Sequence, residues 1–394
     1  MNSKWEYRKI GDVCIVERGG SPRPIDQYIT NDANGINWIK IGDTSESMYI
    51  TETAQKIKPE GMKKSRYVQP GDFLLSNSMS FGRPYILKTD GCIHDGWLVL
   101  RDKNSFFDKR FLYYYLSAKP TYEKFKMIAV GGVVNNLNSE MVRKISVPIP
   151  CKAEQIEIAN LLDIVNRIIL KRKQTLQKLD ELVKARFVEL FGDPKVNDKS
   201  WKSGVLADHF EVKGGKRIPK GMGYSDIKTN HPYLRATDMK NETIVEDDIH
   251  YISEEVFQHI KRYTVNGGDI YLTNVGVNLG MAGVIPPKFD GASLTENAVK
   301  LVPKAEKILE GLFLAHYINS PGIQDYINER KMAVGVPKLA IFRIETMPLL
   351  IPPIEVQKDF ITFVEQVNKS KVAVQKSLDE AQLMFDSLMQ QYFG

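Results

Sequence analysis

Two stretches of the chain carry a sustained heptad of mostly apolar positions, and the second is a copy of the first displaced by 202 residues. The first seam reads Leu162, Val165, Ile169, Arg172, Leu176, Leu179, Val183, Arg186, Leu190. The second reads Val364, Val367, Lys371, Val374, Leu378, Ala381, Phe385, Leu388, Tyr392. Alternation of three and four puts one apolar stripe on a helix, which predicts long helices over roughly 153–191 and 355–392. Pro150 and Pro352-Pro353 stand just before them, where a missing backbone donor costs least, and Gly192 with Asp193-Pro194 stops the first. At 1.5 Å per residue each helix is about 57 Å long, too long for the inside of one small domain, and reads as a spacer. One stripe needs a partner, and the other repeat's stripe is the nearest. Antiparallel pairing follows from connectivity, since the chain leaves the first helix, builds another segment and returns along the second. Arg172, Arg186 and Lys371 interrupt the seams and either set register or extend to solvent along their apolar stems.

Outside the helices the pattern changes to short β-branched and aromatic runs such as Phe73-Leu74-Leu75 and Trp97-Leu98-Val99-Leu100, punctuated by Gly, Pro, Asn and Asp. These runs predict strand-rich mixed domains, with short helices at Lys109–Ser117 and Lys307–Asn319. The repeat covers these domains too. Trp5 matches Trp201, Asn37 to Asp43 matches Pro232 to Asp238, and Gly71-Asp72 with Leu75-Ser76-Asn77 matches Gly268-Asp269 with Leu272-Thr273-Asn274. Ile149-Pro150 with Gln155 matches Ile351-Pro352 with Gln357. The expected division is a domain at 1–150, a spacer helix at 151–192, a second domain at 193–352 and a second helix at 353–394. The fold class is α+β: two strand-rich mixed α/β domains separated by two long helices in an antiparallel coiled coil, a pseudo-two-fold and cyclic repeat.

Composition adds little to that picture. Of 394 residues, 43% are hydrophobic and 26% charged, with a net charge of +6, as in an ordinary globular protein whose basic patches permit nucleic-acid binding without requiring it. No signal-like start and no apolar run of about 20 residues occurs, so a cytoplasmic location without a membrane segment is expected. Cys14, Cys92 and Cys151 form no metal-binding or disulfide pattern. No phosphate loop is present, and both Pro-Pro pairs, Pro286-Pro287 and Pro352-Pro353, lie outside the Asn/Asp-Pro-Pro-aromatic context of an amino-methyltransferase. His94-Asp95 is at most half of a metal site, and no metal is expected.

The Gly71-Asp72-Phe73-Leu74-Leu75-Ser76 and Gly268-Asp269-Ile270-Tyr271-Leu272-Thr273 strands, and the Ile-Pro…Gln starts of both helices, resemble the DNA specificity subunit family of type I restriction-modification systems. The resemblance covers essentially the whole chain. It departs at Cys151, where a second proline is usual, and at Val356, where a glutamate is usual. It implies two target recognition domains, each reading half of a split double-stranded DNA sequence, at a separation held by the helices. It also implies a non-catalytic chain without cofactor. S-adenosylmethionine, ATP and Mg would belong to two methyltransferase (M) subunits and to restriction (R) subunits docked on it, which carry out adenine methylation and cleavage. The coiled-coil and docking positions would be Leu162, Val165, Ile169, Leu176, Leu179, Val183, Val364, Val367, Val374, Leu378, Phe385 and Leu388. A coiled-coil adaptor with two protein-binding domains is the alternative from the same pattern, and an enzyme with an unrecognised site is a third.

Two domains that read different bases should share their scaffold and differ where they meet base edges. Shared polar positions Lys40/Arg235, Arg66/Arg262 and Asn77/Asn274 are therefore candidates for phosphate contact or for the fold alone. After the shared Asn the loops diverge. Ser78 and Arg83 in the first and Asn278 in the second are candidates for base contact, Arg83 by its match to guanine and Asn278 to adenine, against the reading of a variable surface turn. Arg23, Lys216 and Arg217 in the early loops and Lys338 in a Gly-rich turn complete the DNA-binding candidates, with a solvated basic loop as the plain alternative.

Overall fold

A computed structural model of the chain describes residues 5–77, 82–129, 136–304, 308–332 and 335–394. It forms two compact units, Met1–Lys173 with Gln375–Gly394, and Gln174–Val374. Each unit therefore contains one strand-rich domain, the part of one long helix adjoining it, and part of the other. The long helices run Lys152–Phe191 and Ile354–Phe393.

In the first unit one five-stranded sheet has the order Cys14–Arg18, Trp97–Asp102, Phe73–Ser76, Pro84–Leu87, Tyr49–Ile50. A second has the order Ile29–Thr30, Gln55–Ile57, Ile36–Ile39, Gly91–Ile93, Arg66–Val68, with Ile36–Ile39 and Gly91–Ile93 parallel. The second unit repeats the centre of both. Phe210–Gly214, Ala298–Pro303, Ile270–Thr273 and Ala282–Val284 form one sheet, and His250–Tyr251, Pro232–Leu234 and Ser293–Leu294 the other. There the parallel pair is Pro232–Leu234 with Ser293–Leu294. The Gly-Asp turn before each central strand needs a left-handed residue, and Gly71 and Gly268 supply it at φ 92° and 90°. Each following aspartate caps its own turn, accepting from Gln69 N–H at 3.1 Å and Asn266 N–H at 2.8 Å. It also holds a cation from the neighbouring strand, Arg101 or Lys300.

A buried glutamine in the first turn of each long helix ties that helix to its domain. Gln155 accepts from Asp108 N–H at 2.7 Å and donates to Phe106 O and Pro150 O, both at 2.9 Å. Gln357 accepts from Glu310 N–H at 2.8 Å and donates to Ile308 O at 3.1 Å and Pro352 O at 2.8 Å. Each glutamine is itself buried and its backbone partners are buried or half-buried, so each amide satisfies groups with limited access to water. Tyr115 and Tyr317 repeat a second tie, donating to Ser146 O and Pro348 O.

Both seams are covered within each unit. In the first, Ile158 and Leu162 of one helix and Phe385, Leu388 and Phe393 of the other pack in a single core, so the pairing is antiparallel. In the second, Leu179, Val183, Phe187 and Phe191 meet Phe360, Val364 and Val367 in the same sense. Val165 and Ile169 are buried, while Leu176, Val374 and Leu378 are half-buried. The seam cations behave differently from one another. Lys371 pairs with Asp180 across the helices, Arg186 lies over the Phe363 ring at 5.9 Å, and Arg172 is exposed. The helix ends are anchored alike, Phe393 edge-on to Phe111 at 5.5 Å and Phe191 to Phe313 at 4.7 Å. Trp5 and Phe393, from the two ends of the chain, share one core, which is the cyclic repeat in physical form.

The helix Lys109–Ser117 stands as expected, but its copy begins at Gly311 rather than Lys307. Glu310 is the N-cap, extended at φ −73° and ψ 137°, and Gln357 holds Ile308 O and Glu310 N–H of that lead-in. Lys307 itself lies outside the described residues. Cys14 and Cys92 are buried free thiols and Cys151 is exposed.

Replacing Gln155 or Gln357 by leucine should cost about 1–3 kcal/mol of its unit's stability, because a donor and two carbonyls lose their partner at buried or half-buried positions that water reaches poorly. Hydrogen exchange at Asp108 in Gln155→Leu should accelerate together with the early helix amides. Unchanged protection there would show that the glutamine holds nothing.

Candidate functional site

Loops from both sheets of each domain converge on one rim, and the same three backbone bonds assemble it twice. In the first domain Gly19 N–H donates to Trp97 O (2.9 Å), Gly20 N–H to Ile93 O (3.1 Å) and Asn77 N–H to Gly96 O (2.9 Å). In the second Gly215 N–H donates to Ala298 O (3.0 Å), Lys216 N–H to Leu294 O (2.8 Å) and Asn274 N–H to Asn297 O (3.0 Å). A Cβ at Gly19 would lie 2.2 Å from His94 O, and one at Gly215 2.0 Å from Thr295 O. Only glycine lets these strands approach.

The rim encloses a cleft in each domain. The first, of about 830 Å³, is lined by Ser21 to Asp26, Ile29, Trp38, Lys40, Gln55, His94 and Asp95. The second, of about 500 Å³, is lined by Arg217, Ile218, Met222 to Tyr224, Tyr233, Arg235 to Thr237 and Thr295 to Asn297. Matched through the shared backbone bonds and strand register, Trp38 corresponds to Tyr233, Lys40 to Arg235, His94 to Thr295, Asp95 to Glu296 and Ser21 to Arg217. The scaffold is common and almost every lining side chain differs.

The candidates from the sequence divide between the clefts and other places. Arg23 lies at the first cleft, 81% exposed and 3.5 Å from Asp95, and Lys40 donates there to Gln55 at 2.7 Å. Arg217 lies at the second, 78% exposed and paired with Glu296 at 2.5 Å, beside exposed Lys216 over the Tyr263 ring. Arg235 is fixed between Asp238 and Asp248, and the Asp238 hydrogen bond leads in raising its guanidinium above the ordinary value. Asn77 and Asn274 are buried, their amides donating to Asp95 O and Leu339 O, so these side chains brace the rim from beneath. Asn278 is half-buried and donates to Ala236 O at 3.2 Å. Arg262 and Lys338 are exposed, and the Lys338 backbone bridges both Val275 and Met332. Arg66 pairs with Glu17 and does not line the cleft. Arg83 lines a separate hollow with Glu46, Tyr85 and Tyr122. Ser78 and most of the first Gly-rich turn, 131–135, lie outside the described residues.

The neutral form of His94 is built into the first cleft. Backbone N–H groups face both ring nitrogens, Ile41 N–H at Nε2 (3.1 Å) and Gly96 N–H at Nδ1 (2.6 Å); the neutral ring accepts from one of them, and the doubly protonated ring would accept from neither. Burial, opposed by Asp95, lowers its pKa below the ordinary 6.5. Among the described residues no three His, Cys, Asp or Glu side chains converge as a metal site. Trp38, Asp95, Tyr233 and Glu296 are absent from the DNA-binding candidates of the sequence, where Asp95 stands out only with His94 as half of a metal site. The signal was present in the alignment of His94-Asp95-Gly96 with Thr295-Glu296-Asn297 at an offset of 201, but no shared residue type marks it.

A duplicated domain with one scaffold and two differently furnished clefts, each mounted on a long helix, defines a two-part recognition protein. The model of the type I restriction modification DNA specificity domain matches residues 2–181 and again 198–381. The chain belongs to that family. It is 23% identical to the type I restriction enzyme MjaIX specificity subunit of Methanocaldococcus jannaschii, over 98% of this chain and 91% of that protein. It is 21% identical to the EcoBI specificity subunit of Escherichia coli, over 91% and 79%. Among solved structures, one concerning complex assembly and conformational transition of the type I R-M system matches with a TM-score of 0.63 at 14% identity, covering 100% of this chain and 98% of that one. The type I restriction-modification S subunit from M. genitalium matches with 0.57 at 15% identity, covering 100% and 97%. No helix among the described residues is long and apolar enough to cross a membrane.

Because the folded protein holds His94 below its ordinary pKa, the unfolded chain takes up the proton first. The stability due to neutral His94 is then complete above about pH 6.5 and is lost as pH falls below that value. Unfolding midpoints of wild type should decline between pH 7 and 5 more steeply than those of His94→Gln. Parallel slopes would refute the assignment.

Proposed function

We propose that this chain is the non-catalytic, sequence-specific DNA-binding subunit of a type I restriction-modification complex, acting in the cytoplasm on a bipartite double-stranded target. The domains at 1–150 and 193–352 act as target recognition domains, and the segments 151–192 and 353–394 as spacers. The observation that carries the reading is the pair of clefts built on one backbone plan and lined by different side chains. Shared backbone with divergent lining is what two readers of unlike half-sites require.

Arg217 at the second cleft with exposed Lys216 beside it, and exposed Arg262 and Lys338 elsewhere in that domain, suit phosphates, as do exposed Arg23 and half-buried Lys40 at the first cleft. Asn77, Asn274 and Arg235, committed to internal partners, support the rim, while Arg83 and Asn278 remain proposed base contacts and Arg66, paired with Glu17 away from the cleft, a phosphate contact at most. Two M subunits and the R subunits bring S-adenosylmethionine, ATP and Mg, the adenine methylation and the cleavage. Ile164 and Ile168, one turn apart and 54% and 41% exposed on the first helix, support docking there.

Binding by the assembled complex should be salt-sensitive, vanish when either half-site is scrambled, and weaken when the unspecified gap changes by one base pair. Equal affinity across gap lengths would sink the rigid spacing. Lys216→Ala and Lys338→Ala should each reduce the slope of log K against log salt by about 1, uniformly across sequences. A sequence-dependent loss would move those residues from phosphate to base contact.

A further inference from the structure

A carboxylate occupies the same place in both clefts, one residue past the residue that follows the parallel strand. Asp95 and Glu296 are 42% and 28% exposed there, in clefts that also carry Arg23, Lys40 and Asp26 in the first domain and Arg217 and Arg235 in the second. Each is held by the same position of the early loop. Ser21 Oγ donates to Asp95 Oδ1 at 2.6 Å, and Arg217 Nε donates to Glu296 Oε1 at 2.5 Å. The backbone beneath Asp95 is locked as well, its carbonyl accepting from Arg18 Nε at 3.1 Å and Asn77 Nδ2 at 2.8 Å. Glu296 Oε2 receives Thr295 Oγ1 at 3.1 Å and Tyr233 OH at 3.4 Å. The two side chains differ in length and in the group that tethers them, but share an address and a tether from the same loop position.

On a surface that meets a polyanion, an exposed carboxylate repels phosphate and weakens non-specific binding. Its presence at one address in two otherwise divergent domains is accounted for by a donor on the ligand. In the major groove the donors are the exocyclic amino groups of cytosine and adenine, while guanine and thymine present acceptors at the corresponding places. We infer that Asp95 and Glu296 are specificity-determining residues, each accepting a hydrogen bond from cytosine N4 or adenine N6 at one position of the half-site its domain reads. This rests on the function proposed above. Both acids stay ionised at neutral pH. Ser21's hydrogen bond leads in lowering Asp95. At Glu296 burial acts upward, and the Arg217 hydrogen bond, with smaller contributions, outweighs it. An ionised carboxylate only accepts, so neither residue tolerates a guanine O6 or thymine O4 in its place. Trp38 and Tyr233, flanking the acids, close one side of each cleft.

The test is a base-resolution map of adenine methylation in cells carrying the full system with wild-type chain, Asp95→Asn, Glu296→Gln or Asp95→Glu. Asp95→Asn should relax discrimination at a single cytosine or adenine position by about 5- to 150-fold, leaving the other half-site intact, which also certifies folding. Glu296→Gln should do the same in the opposite half. Asp95→Glu should keep an amino-bearing base at its position. Unchanged motifs in both amide variants would overturn the inference, as would relaxation spread over both halves, or loss of all methylation in Asp95→Glu as well as Asp95→Asn. A wild-type chain that directs no motif at all would instead overturn the proposed function, whatever the variants do.

Discussion

Everything in this protein depends on covering two apolar stripes that neither long helix can cover alone. An isolated helix of 40 residues with one hydrophobic face leaves that face in water. The partner must come from elsewhere in the chain, and the antiparallel solution places the start of each helix beside the end of the other. Each domain is then seated on both, the first on Leu162 and Phe393, the second on Phe191 and Phe360. The buried glutamines fix how each helix leaves its domain, and they do so with the same three partners in both copies.

This division of labour explains which positions the two copies share. Residues that build backbone approach, such as Gly19 and Gly215 against the carbonyls of His94 and Thr295, have no alternative and recur. Residues that close internal hydrogen bonds, such as Asn77 and Asn274, recur for the same reason. Side chains that line the clefts are held by the backbone rather than holding it. Trp38 can become Tyr233, and the Ser21–Asp95 pair can become Arg217–Glu296, with the strand register around them unchanged.

The same physics set how far the site was legible in the sequence. Shared polar residues attracted attention as possible contacts, and several of them, Arg235 and the two asparagines, proved to be internal braces. Repetition of the same residue with its hydrogen bonds closed inside the domain marks what the fold needs, so it points away from the exposed positions that face a ligand. In the sequence Asp95 stands out only beside His94, as half of a metal site, and Glu296 not at all, because Asp and Glu are common surface residues; only the parallel strand pair shows that they share an address. The late start of the helix Gly311–Asn319 was likewise hidden, since nothing local says that Glu310 N–H is held by a residue 47 positions away.

By itself the sequence determined the number and kind of parts: two long helices with matching seams, two strand-rich domains, and their duplication. These follow from periodicity and turn chemistry, which act over a few residues and are written locally. The tertiary structure alone decided which loops meet at a rim and which polar groups are consumed inside. It also decided that Lys371 answers Asp180 across the helices while Arg172 faces solvent. Those outcomes depend on contacts between residues tens to hundreds of positions apart, where register, burial and the satisfaction of hydrogen bonds are settled only once the chain has closed on itself.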